Sequence, residues 1–198
     1  MSECPSVKKS LQGILGDPPY EFNKQGFDAI RDWVAYNIEY KPDEERAGKT
    51  DDWQTPGETL ASPRVGDCED FSILLCSLLR AYGIGAERVY VVIGVDSKGG
   101  EHAFLMEDWY LDGKWRRIEP QAPAQLRPGP LSFLLINSGL DQYEIIAAFN
   151  DLHYHDESFP WDEDEANSWT LPSMATAARE IARRLSQLLG YLRGLVFS

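Results

Sequence analysis

Three side chains in this sequence are spaced for nucleophilic chemistry. Cys68 follows Gly66 and Asp67 and opens a run in which Phe71, Leu74, Leu75, Leu78, Leu79 and Tyr82 recur at helical spacing. It therefore sits in the first turn of a helix, where unpaired N–H groups and the helix dipole favour thiolate over thiol. His102 begins a later strand pattern and Glu119 ends another, just before Pro120. A thiolate needs a base to pair with and an acid to protonate the leaving group, and the base needs an orienting group. Cysteine, histidine and carboxylate supply these roles in that order.

The elements that must position them are readable in outline. Residues 1–22 read as an irregular lead-in with one helical turn at most. Asn23 is a helix N-cap, and Phe27, Ile30, Val34 and Ile38 form a helical stripe that Pro42 stops. Residues 41–65 are polar and read as a long surface loop, a kind of segment that is often functional. The helix after Asp67 ends at Gly83 and Gly85. Strand patterns follow over 88–95, 101–111 and 114–118, with a hairpin signal at Asp112-Gly113. A two-residue turn there would set Glu119 opposite Met106 rather than His102, so the triad demands a wider loop or a bulge. A further helix is expected near 141–149. Residues 151–172 form an acidic loop, and 173–198 an amphipathic C-terminal helix with four arginines and one glutamate.

Composition narrows the function classes. The 198 residues carry 32 Asp plus Glu against 19 Lys plus Arg, a net charge of −13. Such a surface repels phosphate backbones and argues against nucleic acid as a partner. There is no apolar run of membrane-spanning length and no secretory leader pattern. Three cysteines, an odd number, do not make a disulfide framework, and Cys68 and Cys76 are too far apart on one helix to be bridged. A cytoplasmic protein is the expectation.

The stretches Trp53-Gln54-Thr55-Pro56-Gly57-Glu58-Thr59-Leu60 and Gly66-Asp67-Cys68-Glu69-Asp70-Phe71-Ser72 resemble the transglutaminase-like superfamily, closest to the bacterial transglutaminase-like cysteine proteinases. Glu101-His102-Ala103-Phe104 and Trp115-Arg116-Arg117-Ile118-Glu119-Pro120 fit the same pattern, which spans residues 27–121. The resemblance implies an α+β, papain-like core over 23–150, with the nucleophile at a helix N-terminus packed on an antiparallel sheet. It implies Cys68 as nucleophile, His102 as general acid/base and Glu119 as orienting group, in a position where the family usually has aspartate. The Cys68 backbone N–H and the side chains of Gln54 or Trp53 are candidate oxyanion donors. Some relatives bind calcium near the matching acidic residues, which makes Glu69 and Asp70 possible ligands; no cofactor is otherwise required. The expected function is hydrolysis of an amide or peptide bond in a protein or peptide substrate through an acyl-enzyme on Cys68. The alternatives are acyl transfer to an amine, as in a transglutaminase, and a non-catalytic protein-binding module on the same scaffold. His153 and His155, with Asp151, Asp156 and Glu157, are weak metal candidates, better read as a solvated loop packed by aromatics.

Overall fold

The computed structural model describes residues 2–108, 115–121 and 143–156. The chain divides into two units, Met1–Phe159 and Pro160–Ser198, and every described residue lies in the first. The C-terminal helix expected over 173–198, most of the acidic loop and the Asp112-Gly113 turn therefore fall outside the described residues. Among the described residues, no helix is long and apolar enough to cross a membrane.

The fold is α+β and is built around one helix. Its described elements, in chain order, are α1 (Pro5–Leu15), α2 (Lys24–Asn37), β1 (Glu39–Tyr40), α3 (Asp43–Arg46), α4 (Pro56–Thr59), β2 (Val65–Gly66), α5 (Cys68–Tyr82), β3 (Val89–Asp96), β4 (Glu101–Glu107), β5 (Arg116–Ile118), β6 (Tyr143–Phe149) and β7 (Tyr154–His155). Helix α5 carries the expected stripe, but it is buried on nearly every side. Ser72 and Ser77 are fully buried along with Leu74, Leu75, Leu78 and Leu79. The two serine hydroxyls donate to the carbonyls one turn back, Cys68 O at 2.7 Å and Ile73 O at 2.6 Å, so their burial leaves no donor unsatisfied. Helices α1, α2 and α4 pack on α5, and strands β3 and β4 also pack on it. The sheet is antiparallel, in the order β5-β4-β3-β6-β7.

Several expectations need correction. The lead-in is an 11-residue helix, α1, with Val7 and Leu11 buried against the rest. Its N-cap, Cys4, makes no side-chain capping bond, so the usual start signal is missing. Helix α2 is capped by Asn23, whose side chain accepts from Gly26 N at 2.9 Å. It stops at Asn37, before Pro42, because Glu39 and Tyr40 pair in parallel with Val65 and Gly66. The long loop holds two short helices, α3 and α4, the second closed by a Thr55–Glu58 capping box. The helix expected near 141–149 is strand β6. Pairing of six of its residues with β3, with a bulge at Ile93/Gly94, overrides the helical preference of Ala147 and Ala148.

The end of β6 is tied back to α5. Buried Asn150 donates to Val89 O at 3.0 Å and accepts from Leu152 N and His153 N, both at 2.9 Å. Beside it Arg80 on α5 donates to Asp151 at 2.8 Å, and Ser2 donates to the same carboxylate at 3.0 Å. Burial opposes the Asp151 charge, but the Arg80 bond outweighs it and holds the carboxyl below its ordinary 3.8. A carboxylate with a depressed folded value stabilises above its unfolded value and loses that contribution as pH falls through the folded one. Asp151→Asn is therefore expected to cost about 1–3 kcal/mol at neutral pH, with the gap to the parent closing below about pH 4. Urea melts of both proteins across that range check it.

Candidate functional site

Asp67 and Cys68 lie where β2 runs into α5, so the cysteine enters the fold at the helix N-terminus. Asp67 N donates to Asp70 Oδ2 at 3.4 Å, which closes the first turn from the inside. Gly66 permits this, since a Cβ there would lie 2.6 Å from the Asp70 Cβ. Cys68 is partly exposed, and its thiol donates to Glu69 Oε2 at 3.2 Å. Burial raises its pKa and the facing Glu69 raises it further, while the backbone N–H of Ala103 works the other way. That last contact brings the sulfur to strand β4, one residue from His102. Cys76 is fully buried in α5, and burial raises its thiol too.

His102 and Glu119 come together across β4 and β5. Met106 faces Arg117 and Leu105 faces Ile118. Extending this register sets Glu119 opposite Phe104, with His102 one step further along the same face. A diagonal partner of this kind lies about 7–8 Å away between Cα atoms, within reach of long side chains. The glutamate spans it: Glu119 Oε2 lies 2.9 Å from His102 Nε2. The extra methylene relative to aspartate is thus matched to the register. Burial disfavours the Glu119 charge, but the His102 bond and the Arg117 guanidinium together hold its carboxyl below the ordinary 4.5. The His102 ring packs against Phe104 and Tyr143, with centroids 6.0 and 5.6 Å away. Gly94, the β3 partner of His102, leaves room for this packing: a Cβ there would lie 2.8 Å from Tyr143 Cβ.

The upstream loop sits against α5. Gln54 Nε2 donates to Val65 O at 2.9 Å and to Asp70 Oδ2 at 2.5 Å, and its backbone N–H donates to Asp70 Oδ1 at 2.7 Å. Trp53 donates its indole N–H to Asp51 at 2.6 Å and stacks on Phe149 at 5.8 Å. Both side chains expected as oxyanion donors are thus engaged with the protein.

A carboxylate cluster lies beside the cysteine. Asp43, Asp67 and Asp70 present ligand atoms within 4.8 Å of one another, and so do Asp43, Asp51 and Glu69. Glu69 and Asp70 were legible as candidates; Asp43, Asp51 and Asp67 were not. Their signal is the acid-rich loop, where Asp43 to Glu45 and Asp51-Asp52 stand within one segment. Arg46 pairs with Asp43, with Asp52 at 3.2 Å and with Asp70 at 3.8 Å. One guanidinium does not balance the set. Burial, together with the facing Asp67, pushes Glu69 up to about 9. Burial also takes Asp70 up to about 6 and raises Asp67. Asp67 Oδ1 is buried without a hydrogen-bond partner.

Comparison with known proteins agrees with this architecture. The fold resembles that of Legionella pneumophila LapG, with a TM-score of 0.52 and 18% identity over 82% of this chain and 80% of that one. The centrosomal protein of 76 kDa is 36% identical over 103 residues in Mus musculus and 38% identical over 103 residues in Xenopus tropicalis. Those matches take in 52% of this chain, which spans only 14% of the length of these relatives. The sequence pattern of the transglutaminase-like superfamily runs through residues 12–120, from within α1 to the residue after Glu119. With the pattern covering more than half of its length, the chain belongs to the transglutaminase-like superfamily.

Proposed function

We propose that this protein is a thiol hydrolase that cleaves amide or peptide bonds in protein or peptide substrates. The observation that carries the reading is the 2.9 Å bond between His102 Nε2 and Glu119 Oε2, one residue along β4 from the backbone N–H beside the Cys68 sulfur. A ring whose Nε2–H is held by a carboxylate has Nδ1 left to take the thiol proton. The Cys68 thiolate would attack the carbonyl carbon. The Cys68 backbone N–H at the helix start would face the developing oxyanion, with Gln54 as second donor once its amide leaves Val65 O. His102 would then protonate the leaving amine, and water would release the acyl group. An amine in place of water would make the reaction a transamidation.

The carboxylate cluster fits a hard divalent cation, and we assign it to calcium. Asp43 would hold it together with Asp67 and Asp70 or with Asp51 and Glu69, and Asp67 Oδ1 is a buried acceptor without a hydrogen-bond partner. Calcium would supply charge neutralisation beside the thiol. It would not enter the acyl transfer itself.

One observation favours a second reading, a non-catalytic binding module. The Cys68 thiol bonds Glu69, and burial together with that carboxylate raises its pKa. Iodoacetamide separates the two. The hydrolase reading expects alkylation of Cys68 at about pH 6 to be at least ten-fold faster than that of an ordinary exposed thiol, with calcium present. Fragmentation of the tryptic peptide Val65–Arg80 distinguishes Cys68 from Cys76. A rate no greater than that of free cysteine favours the binding module.

A further inference from the structure

The residue that holds Glu119 is Arg117, and nothing in the hydrolase chemistry above assigns it a role. The two residues are next-but-one neighbours at the end of β5 and so project to the same face. That face also carries His102 and Phe104 of β4, as the register requires. Arg117 Nη2 contacts Glu119 Oε1, and Glu119 Oε2 is the atom at His102 Nε2. Oε2 is thus hydrogen-bonded to the imidazole, while Oε1 meets the guanidinium as an ion pair rather than through a hydrogen bond. The guanidinium is itself fixed, lying 4.3 Å from the Phe104 ring centroid and 4.8 Å from that of Tyr143. Phe104 is fully buried, and the Arg117 side chain is only 8% exposed. The same two aromatic rings flank His102. Arginine, glutamate and histidine are therefore seated on one aromatic platform in a chain of contacts.

Such a device answers a mechanical need. Glutamate has one more rotatable bond than aspartate, and that freedom weakens its hold on the imidazole unless something restrains it. A planar guanidinium stacked on aromatic rings is the side chain suited to this, since it keeps its charge and offers donors in a fixed plane. A carboxylate pinned at one oxygen presents the other to His102 in one orientation.

We propose that Arg117 is a positioning residue that locks the Glu119 carboxylate onto His102 and so lets glutamate serve at a position where a shorter acid would not reach. The role in turnover rests on the hydrolase reading, but the positioning itself does not. The test is therefore arranged to read the two apart. In the whole 198-residue chain, the ring N–H of His102 held by Glu119 is expected to give a slowly exchanging downfield proton resonance. Glu119→Gln identifies it. Arg117→Gln is expected to lose this resonance as Glu119→Gln does, and Arg117→Lys to keep it weakened, because an ammonium retains the charge without the planar stack. Cys68 alkylation by iodoacetamide at about pH 6 is expected to fall about ten-fold in Arg117→Gln and to recover in part in Arg117→Lys, by analogy with residues that orient a ligand at one remove.

A downfield resonance that persists unchanged in Arg117→Gln overturns the proposal. So does a loss of thermal stability in both variants with the resonance intact, or failure of both to fold, since either makes Arg117 a packing residue only. If Cys68 of the parent protein alkylates as an ordinary thiol, the hydrolase reading fails, while the resonance comparison still decides whether Arg117 positions Glu119.

Discussion

Cys68→Ala is expected to abolish amide-bond cleavage, and His102→Ala to reduce it by about 10²–10⁴-fold, the usual contribution of a positioned acid–base group. Glu119→Gln should fall between His102→Ala and the parent. The glutamine keeps the length that reaches His102 across the β4–β5 diagonal but carries no charge to stabilise the imidazolium. The double variant Cys68→Ala/His102→Ala should be no worse than Cys68→Ala, because residues acting as one unit do not contribute additively. The measurement is product formation from a peptide library, quantified by mass spectrometry for the 198-residue parent and variants. The variants are expected to remain folded, since Cys68, His102 and Glu119 are all partly exposed at the mouth of the sheet. Equal cleavage by parent and Cys68→Ala would remove Cys68 as nucleophile and leave the scaffold as a binding module.

What the sequence disclosed follows from how local each signal is. Cys68 at a helix start was legible because Asp67, the apolar stripe to Tyr82 and Gly83 lie within one continuous segment. Asn23 was legible for the same reason: its side chain caps the amide three residues on. The pairing of His102 with Glu119 was not. It depends on the β4–β5 register, and a two-residue turn at Asp112-Gly113 would give a different one. The observed offset leaves the two residues diagonal, and the glutamate spans the gap. Helix α1 was hidden because it lacks a capping side chain and is held by burial of Val7 and Leu11, which is a tertiary effect. Strand β6 was misread because Ala147 and Ala148 favour a helix in isolation, while β3 and β7 pair with it on both edges. The acid cluster was half legible. Glu69 and Asp70 adjoin the cysteine, whereas Asp43 and Asp51 reach it only because Gln54 and Arg46 fold the loop onto Asp70.

That cluster yields the second large effect. Calcium is expected to raise the thermal stability of the protein and to speed Cys68 alkylation together. Several carboxylates converge, Arg46 pairs with two of them, Asp43 and Asp70, and the cost shows in Glu69, pushed up to about 9, and in Asp67 Oδ1, buried without a hydrogen-bond partner. A cation bound to the folded state alone stabilises it by about 2.7 kcal/mol at a hundred times its dissociation constant. That corresponds to about 5–10 °C in unfolding temperature for a chain of this size. The effect on the thiol follows from the same charges. Glu69 and Asp67 both raise the Cys68 pKa, so neutralising them lowers it and should increase alkylation at neutral pH about ten-fold. Asp67→Asn makes the cause visible through an inversion. Without calcium the variant should be at least as stable as the parent, because a buried like charge is removed. With calcium it should be the less stable of the two, because a ligand is gone. Differential scanning calorimetry with calcium and with EGTA reads all four states. A parent protein whose unfolding temperature is the same in both buffers would show that Arg46 and the protons on the cluster already satisfy it, and that no cation belongs there.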